Sequence, residues 1–395
     1  MVERNIELKK KKILYVLPSL EAGGAEKAAV ITANELTLRY GDEVSFFLFR
    51  GGNDLQNLLH PAVTVFDYPV YFDRSRFSRI YSAYWRVPMA LMKHVRKYPA
   101  DVIVSGFELG PEIPVLIFGL WNIMMLQKDR YRLVSILQNS LSAVLHHHPR
   151  NPLASAVSAF LRGRIFDMIV AVSQQIKNEI AHRTNDVVVI HNPVDVESVI
   201  RDSMNNVQML PIKDRTKRYF ISVARITRQK DQLMMLRAFN SIKDTIAENV
   251  LLVGNISESD YWTEIQQFII DNDLSERVEY LGVIRNHHSL VAKATAFLFS
   301  SVYEGLPLAL LECMALRTPI ISTKFKGYEE ILSQKNSLLV EDENEFAQRM
   351  LQVSSDRTIC AKRTEQAKED LVKFDIRVIA GQYHAIFHGE SGGMR

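Results

Sequence analysis

Glu304-Gly-Leu-Pro-Leu-Ala-Leu-Leu-Glu312 decides how this chain is read, because it sets one carboxylate at the mouth of a helix and a second inside a helix that is otherwise apolar. Pro307 suits a first helical position. From there Leu308, Ala309, Leu310, Leu311, Cys313, Met314, Ala315 and Leu316 carry the helix to about Arg317. A surface that is apolar nearly all round predicts a buried helix. Glu312 would then lose its hydration unless something hydrogen-bonds it, and ligand hydroxyls would do so. The N–H groups of Gly305, Leu306 and Leu308 stand at the positive end of the helix dipole, where an anion can be held. A carboxylate for hydroxyls beside amides for a phosphate reads as a nucleotide-sugar site. The plainer alternative is a solvent-facing Glu312 with a Glu304 that only caps the turn.

The chain around this stretch has the material for two cores: 395 residues, 47% hydrophobic and 24% charged. Cys313 and Cys360 are far apart and lack ligand spacing, so neither a disulfide framework nor a zinc site is expected, and a reducing cytosol fits. The basic start leads into a short apolar strand and not into a secretory segment. The longest apolar stretch, residues 113 to 125, is interrupted by Pro114, Gly119 and Asn122 and falls short of a membrane span.

The net charge of +3 is unevenly spread, since residues 1–190 hold 23 Lys and Arg against 17 Asp and Glu. Much of that surplus lies in residues 68–98, where Arg74, Arg76, Arg79, Arg86, Lys93, Arg96 and Lys97 alternate with Phe72, Phe77, Tyr81, Tyr84, Trp85 and Met92. Three readings stay open here: an anionic membrane surface or lipid acceptor, a solvated helix face with buried aromatics, and nucleic acid. The last is disfavoured, because the chain has no named nucleic-acid motif and is not strongly basic as a whole.

Apolar strand patterns alternate with helical ones along the whole length. In the first half the strands are expected at residues 12–17, 43–49, 101–104, 133–137, 168–172 and 187–190. The pattern restarts at 219–223, 250–253, 278–281, 296–299, 319–322 and 337–340, with helices that include 231–246 and 258–270. Asn192-Pro193-Val194-Asp195 and the polar residues that follow mark the boundary. This is an α/β chain of two Rossmann-like, doubly wound domains facing a cleft lined by strand C-termini.

Three segments converge on that expected cleft. Arg225-Ile-Thr-Arg-Gln-Lys230 follows a strand, so Arg225 as a planar fork and Lys230 as a point charge could offset the charge of a diphosphate; an ordinary basic loop is the alternative. Gly23-Gly24-Ala25-Glu26 opens the first helix and lets backbone approach a phosphate or sugar, although a tight turn would read the same. It is not a G-x-G-x-x-G motif, and Arg50 stands where a dinucleotide-binding chain would carry an acidic residue, so a dehydrogenase is disfavoured. The segment 325–330 follows another strand, and its Glu330 reads as a surface helix cap. Two more strands end at Gly254 and Gly282, as expected beside a flat base or a tight turn.

Taken together, Glu304-Gly-Leu-Pro, Glu312 with Met314-Ala315, Arg225 and Lys230 at a strand-loop-helix junction, and Gly23-Gly24 resemble glycosyltransferase family 4 over nearly the whole chain. The resemblance implies a GT-B fold, with residues 1–194 as an acceptor domain, 195–372 as a nucleotide-sugar domain and 373–395 as a terminal helix returning to the first. It implies a retaining, metal-independent hexosyl transfer from a nucleotide-diphosphate donor, by default a UDP-sugar, with no cofactor. Glu312 would bind the ribose, Arg225 and Lys230 the diphosphate, and Glu304 the donor sugar or its developing oxocarbenium charge. Gly24, Gly282, Gly305, Leu306, Pro307 and Leu308 would complete the donor site, with Gly23 and Asn139 on the acceptor side. The expected acceptor is a glycan on a polyprenyl diphosphate at the cytoplasmic face of a membrane. A soluble acceptor, or a non-catalytic protein that binds sugar nucleotides or nucleic acid, is the alternative.

The sequence departs from the family pattern in three places. Gln138-Asn139 stands where a first-domain His is common, with His146-His147-His148 following later. Asp231 replaces a frequent Gly after Lys230, and Gly254-Asn255-Ile256-Ser257 lacks a second glycine.

Overall fold

The computed structural model describes residues 10–390 apart from 22, 71–74, 76–77, 79–80, 107–111, 125–130, 140–160, 182–186, 205–211 and 215. The run His146–His148 and the side chains of Phe72, Arg74, Arg76, Phe77 and Arg79 lie outside the described residues. The chain forms two compact units, residues 1–193 with 376–395, and residues 194–375.

The first unit is built on β1 (Lys12–Leu17), β2 (Glu43–Leu48), β3 (Thr64–Asp67), β4 (Val102–Ser105), β5 (Arg132–Leu137), β6 (Met168–Ala171) and β7 (Val187–Val189). They form a parallel sheet in the order β3-β2-β1-β4-β5-β6-β7. Such a sheet is covered on both faces, which is why β1, β4, β5 and β6 are almost wholly buried apolar runs and do not alternate. The strand β3 is absent from the sequence expectation for the same physical reason. It is a four-residue edge strand with both end residues exposed and the middle two half-buried, so no apolar run announces it.

The second unit repeats the plan with β8 (Tyr219–Val223), β9 (Asn249–Val253), β10 (Val278–Tyr280), β11 (Phe297–Phe299), β12 (Ile320–Thr323) and β13 (Leu338–Val340). Their order is β10-β9-β8-β11-β12-β13, again parallel. The order reverses between β1 and β4 in the first sheet and between β8 and β11 in the second. In open α/β sheets that reversal opens a crevice at the strand C-termini, so the loops leaving β8 and β11 are where a ligand is sought.

Helix boundaries follow local chemistry. The first helix, Gly24–Glu35, widens into a π-helical turn over Leu36–Tyr40 and stops at Gly41, whose φ of 71° suits glycine. The expected first helical position at Pro307 is corrected: Pro307 is extended, with ψ 115°, and caps a helix that runs Leu308–Ala315. The helix expected from residue 231 spans Gln232–Ile242, with Asp231 as its cap.

The last helix, Ile376–His388, belongs to the first unit and packs on Gly24–Glu35. A buried carboxylate pins it, because Asp42 Oδ2 lies 2.9 Å from His384 Nδ1 and Asp42 Oδ1 lies 3.1 Å from His388 Nε2. Asp42 Oδ1 also accepts from the Lys11 backbone N–H at 3.0 Å, so the helix is tied to the start of β1. A second buried pair, Arg162 with Glu112, is braced by the Ser135 hydroxyl on β5 at 2.6 Å from Glu112 Oε1.

Candidate active site

The loops that leave β8 and β11 meet through polar contacts. Lys230 ends the short turn of helix Arg228–Lys230, and its ammonium donates to Oε1 of Glu304. Both side chains are mostly buried, at 14% and 7% exposure. A buried ammonium or carboxylate alone would be costly, so each is the condition for the other's charge. The pair sits beside an aromatic face, with Lys230 Nζ 5.8 Å from the Phe299 ring centroid.

Backbone contacts hold the two loops in register. Gln229 Nε2 donates to the Tyr303 carbonyl at 2.9 Å, the Val302 N–H donates to the Gln229 carbonyl at 2.9 Å, and the Ser300 hydroxyl donates to the Lys230 carbonyl at 2.8 Å. Arg225 is exposed at the end of β8, and the Gln232 amide fixes its carbonyl at 2.8 Å. Its charge is felt at the neighbouring loop. Burial raises the Tyr303 phenol and the Glu304 carboxylate raises it further, while Arg225 draws it back down.

The residue after Lys230 explains one departure from the family pattern. Asp231 has φ 42° and ψ 53°, a left-handed conformation in which glycine is unstrained and Asp is among the better alternatives. Its carboxylate also caps the following helix by accepting from the Met234 N–H at 3.3 Å. Burial raises its pKa.

Gly254 is needed for a different reason. Its φ is 145°, and a Cβ there would stand 2.0 Å from the Ala224 carbonyl oxygen. Its N–H donates to the Gly282 carbonyl at 2.8 Å, so the ends of β8, β9 and β10 are in backbone contact. Gly282 itself has φ 67° and open space where its Cβ would point.

Glu312 is buried, at 7% exposure, inside the helix Leu308–Ala315. Gly305, Leu306, Pro307 and Leu308, ahead of it, are buried as well. Its Oε2 faces His287 Nε2 at 3.3 Å and His288 Nε2 at 3.6 Å. Sequence reasoning missed both histidines, because an adjacent pair 25 and 24 positions upstream of Glu312 has no spacing that marks a shared site. Among the described residues, this trio and Asp42 with His384 and His388 are the groups that could hold a metal ion.

Gly23, Gly24 and Asn139 belong to the first unit. Gly23 caps the first helix with an extended backbone, and a Cβ on it would come within 2.1 Å of the Glu26 carboxylate. The mouth of that helix therefore carries its own acidic group. Asn139 follows β5 and is half-buried.

The segment 68–98 divides into outward and inward faces where it is described. Tyr81, Tyr84, Trp85 and Met89 are exposed, at 51%, 45%, 56% and 48%. The basic residues Lys93, Arg96 and Lys97 follow them on the outside, and Val87, Leu91, His94 and Val95 point inward. The reading of this segment as a solvated face with buried aromatics is thus corrected at those three aromatic positions. Among the described residues no helix is long and apolar enough to cross a membrane.

Comparison with known proteins adds the following. The family model described as Glycosyltransferase Family 4 matches residues 22–198, and the model described as Glycosyl transferases group 1 matches residues 217–356. An N-acetylgalactosamine-N,N'-diacetylbacillosaminyl-diphospho-undecaprenol 4-alpha-N-acetylgalactosaminyltransferase of Campylobacter jejuni is 27% identical over 40% of this chain and 40% of its own length. A second galactosaminyltransferase of Campylobacter jejuni, whose name also carries a PP-undecaprenol acceptor, is 22% identical over 94% of this chain and 97% of its own. The chain spans 28% and 40% of the length of the first two curated relatives that it matches. Among solved structures, HepE of Anabaena, crystallised with UDP and glucose, superposes with a TM-score of 0.76 at 21% identity, covering 95% of this chain and 99% of that one. That likeness establishes the GT-B fold.

Proposed function

The chain belongs to glycosyltransferase family 4, and from that premise we propose that it transfers a hexosyl group, with retention of anomeric configuration, from a UDP-sugar to a saccharide carried on a polyprenyl diphosphate. The observation that carries the proposal is the Lys230–Glu304 pair at the point where the second sheet reverses its strand order. A cation and a carboxylate held together in one crevice suit a reaction that frees a diphosphate and leaves positive charge on a sugar.

In the reaction we propose, the bond from the anomeric carbon to the diphosphate oxygen breaks, and that oxygen keeps the electron pair. Lys230 and Arg225 take up the negative charge as it forms, the first as a point charge and the second as a fork. Glu304 faces the sugar and offsets its developing oxocarbenium charge. The acceptor hydroxyl bonds to the anomeric carbon on the same face, and its proton passes to a phosphate oxygen of the leaving group. The two cations supply the charge stabilisation that a metal would otherwise give, so transfer needs no cofactor. Glu312 takes the ribose hydroxyls, and the backbone from Gly305 to Leu308, with Gly282, borders the nucleotide. Gly23, Gly24 and Asn139 are the first unit's proposed binding residues, Gly24 for phosphate and the other two for the acceptor.

The lipid-linked acceptor is supported by the names of the two Campylobacter jejuni relatives and by the exposed Tyr81, Tyr84, Trp85 and Met89 beside Lys93, Arg96 and Lys97. Aromatics suited to the headgroup layer next to cations suited to anionic lipid support this reading.

A thermal-shift panel of nucleotide sugars followed by a transfer assay on polyprenyl-diphosphate-linked glycans tests the proposal. A ligand bound by the folded state alone raises Tm, and the expected winner is a uridine nucleotide sugar. Absence of any shift across the panel sinks the donor assignment. Transfer to free saccharides but not to lipid-linked ones sinks the acceptor assignment.

A further inference from the structure

The rings of His287 and His288 both turn Nε2 toward a single oxygen of Glu312, at 3.3 Å and 3.6 Å. Their other nitrogens face acceptors: His287 Nδ1 lies 3.2 Å from the Ile284 carbonyl oxygen, and His288 Nδ1 lies 3.6 Å from Asp202 Oδ2. We propose that His287, His288 and Glu312 form a binding site for a zinc-class divalent transition metal ion, with water as the fourth ligand.

Distance is the first argument. Nitrogen-to-oxygen hydrogen bonds cluster at about 2.7–3.2 Å. Neighbouring nitrogen and oxygen ligands bound at about 2.0–2.2 Å around a tetrahedral zinc stand roughly 3.3–3.6 Å apart. The 3.3 Å spacing sits at the long edge of hydrogen bonding and the 3.6 Å spacing lies beyond it, both match the second range, and all three ligand atoms lie within 4.8 Å of one another.

The bracing of the rings is the second argument. Nδ1 of His287 lies 3.2 Å from a carbonyl oxygen, which only accepts, so Nε2 is the ring nitrogen left to face the carboxylate. A metal cation bound between that nitrogen and the carboxylate would be held by both. The far nitrogen of His287 is held by a carbonyl, a usual surrounding of a metal-bound imidazole, whereas that of His288 has Asp202 Oδ2 at 3.6 Å, beyond hydrogen-bond distance.

Ligand type and access supply the third. Two imidazoles and one carboxylate form a common zinc set with an open position, whereas calcium and magnesium favour oxygen alone. The side chains of His288 and Glu312 are 4% and 9% exposed, and that of His287 is 17%, which leaves one side for water and for entry.

The other trio behaves differently. His384 and His388 each meet a separate oxygen of Asp42, at 2.9 Å and 3.1 Å, and one of those oxygens also accepts from Lys11 N–H. Those are hydrogen-bond distances in a closed set, and the carboxylate is already occupied.

The test uses the full chain stripped with a chelator and titrated with Zn2+ and Co2+. Calorimetry is expected to give one equivalent, and Co2+ the intense visible absorption of a four-coordinate ion. His287→Gln and His288→Gln should each weaken binding about tenfold or more, and Asp202→Asn by a smaller factor. Zinc should raise the Tm of the parent chain but not that of the double Gln variant, with circular dichroism confirming that the variant is folded. Failure of the parent chain to bind either ion overturns the proposal. So does unchanged binding by the folded double variant, which would move the ion elsewhere.

One further arm rests on the reading of Glu312 as the ribose carboxylate. On that reading, saturating zinc should weaken UDP binding roughly tenfold. A bound ion with UDP affinity unchanged counts against the ribose assignment and leaves the metal site standing.

Discussion

The Lys230 ammonium donates to the Glu304 carboxylate, 74 positions away in sequence, so the loops after β8 and β11 are joined by a mostly buried charge pair. We predict that Glu304→Gln lowers kcat about 100-fold while donor affinity moves little, because the carboxylate is needed most when the sugar becomes positive. Steady-state kinetics beside calorimetry with the donor separate the two quantities. A loss confined to binding contradicts the assignment.

Lys230→Ala should abolish detectable transfer and also lower Tm, since it leaves Glu304 buried without its cation. Restoring neutrality in the double variant Lys230→Ala/Glu304→Gln should recover Tm but not activity. If Tm in the single variant equals that of the parent, the pair does not carry the energetic weight given to it here.

Asp231 performs two tasks that different substitutions divide. Asn tolerates the left-handed conformation and can still cap the helix, so Asp231→Asn should stay within about 0.5 kcal/mol of the parent. Ala loses the cap and is strained at φ 42°, and Asp231→Ala should cost roughly 1–3 kcal/mol. Urea unfolding of the second unit's signal checks the order. Equal stability of the two variants would refute it.

Gly254→Ala should be among the most damaging single substitutions in the chain. The added Cβ would press to 2.0 Å from a backbone oxygen, which cannot swing aside as a side chain can. We expect little soluble protein, or a loss of more than about 3 kcal/mol measured by thermal unfolding. A variant of parental Tm would mean that the ends of β8 and β9 separate easily.

His94 makes the first unit sensitive to acid. Its ring is 4% exposed, lies within 6 Å of the rings of Phe47, Phe66, Tyr68 and Tyr98, and burial lowers its pKa from 6.5 to about 4. Between those values the unfolded chain binds the proton and the folded one does not. The stability it contributes is therefore complete above pH 6.5 and is lost as pH falls toward 4. The loss should reach at most roughly 3 kcal/mol, with the aromatic faces returning part of it. Unfolding curves of the parent and His94→Phe at pH 7 and pH 4.5 should diverge, with the variant losing less. Parallel losses would clear His94 of the effect.

Much of the fold could be read from the chain because buried parallel strands write themselves as apolar runs. The strand expected at 219–223 is β8 to the residue, and those expected at 168–172 and 250–253 differ from β6 and β9 by one residue at one end. The sheet edge at β3 was invisible, since a half-exposed strand has no such signature. At the site, Lys230 could be picked out because its loop follows a strand end, and Glu304 because it stands at the mouth of an apolar helix. The neighbours of Glu312 could not. His287 and His288 reach it by the turn that starts the helix His288–Lys293, a geometry that no periodicity encodes. Asp231 was visible as a departure, but only its φ shows why a residue able to adopt the left-handed conformation is required there.

The pinning of His384 and His388 to Asp42 has a consequence for how the molecule is made. Synthesis delivers residues 194–375 before residues 376–388, so one sheet can be fully clothed while the other still waits for its final helix. Until that helix leaves the ribosome, the surface of Gly24–Glu35 that it will cover stays wet and Asp42 has neither imidazole. The half made first is thus completed last, and a premature stop near residue 375 would harm the beginning of the protein more than its end.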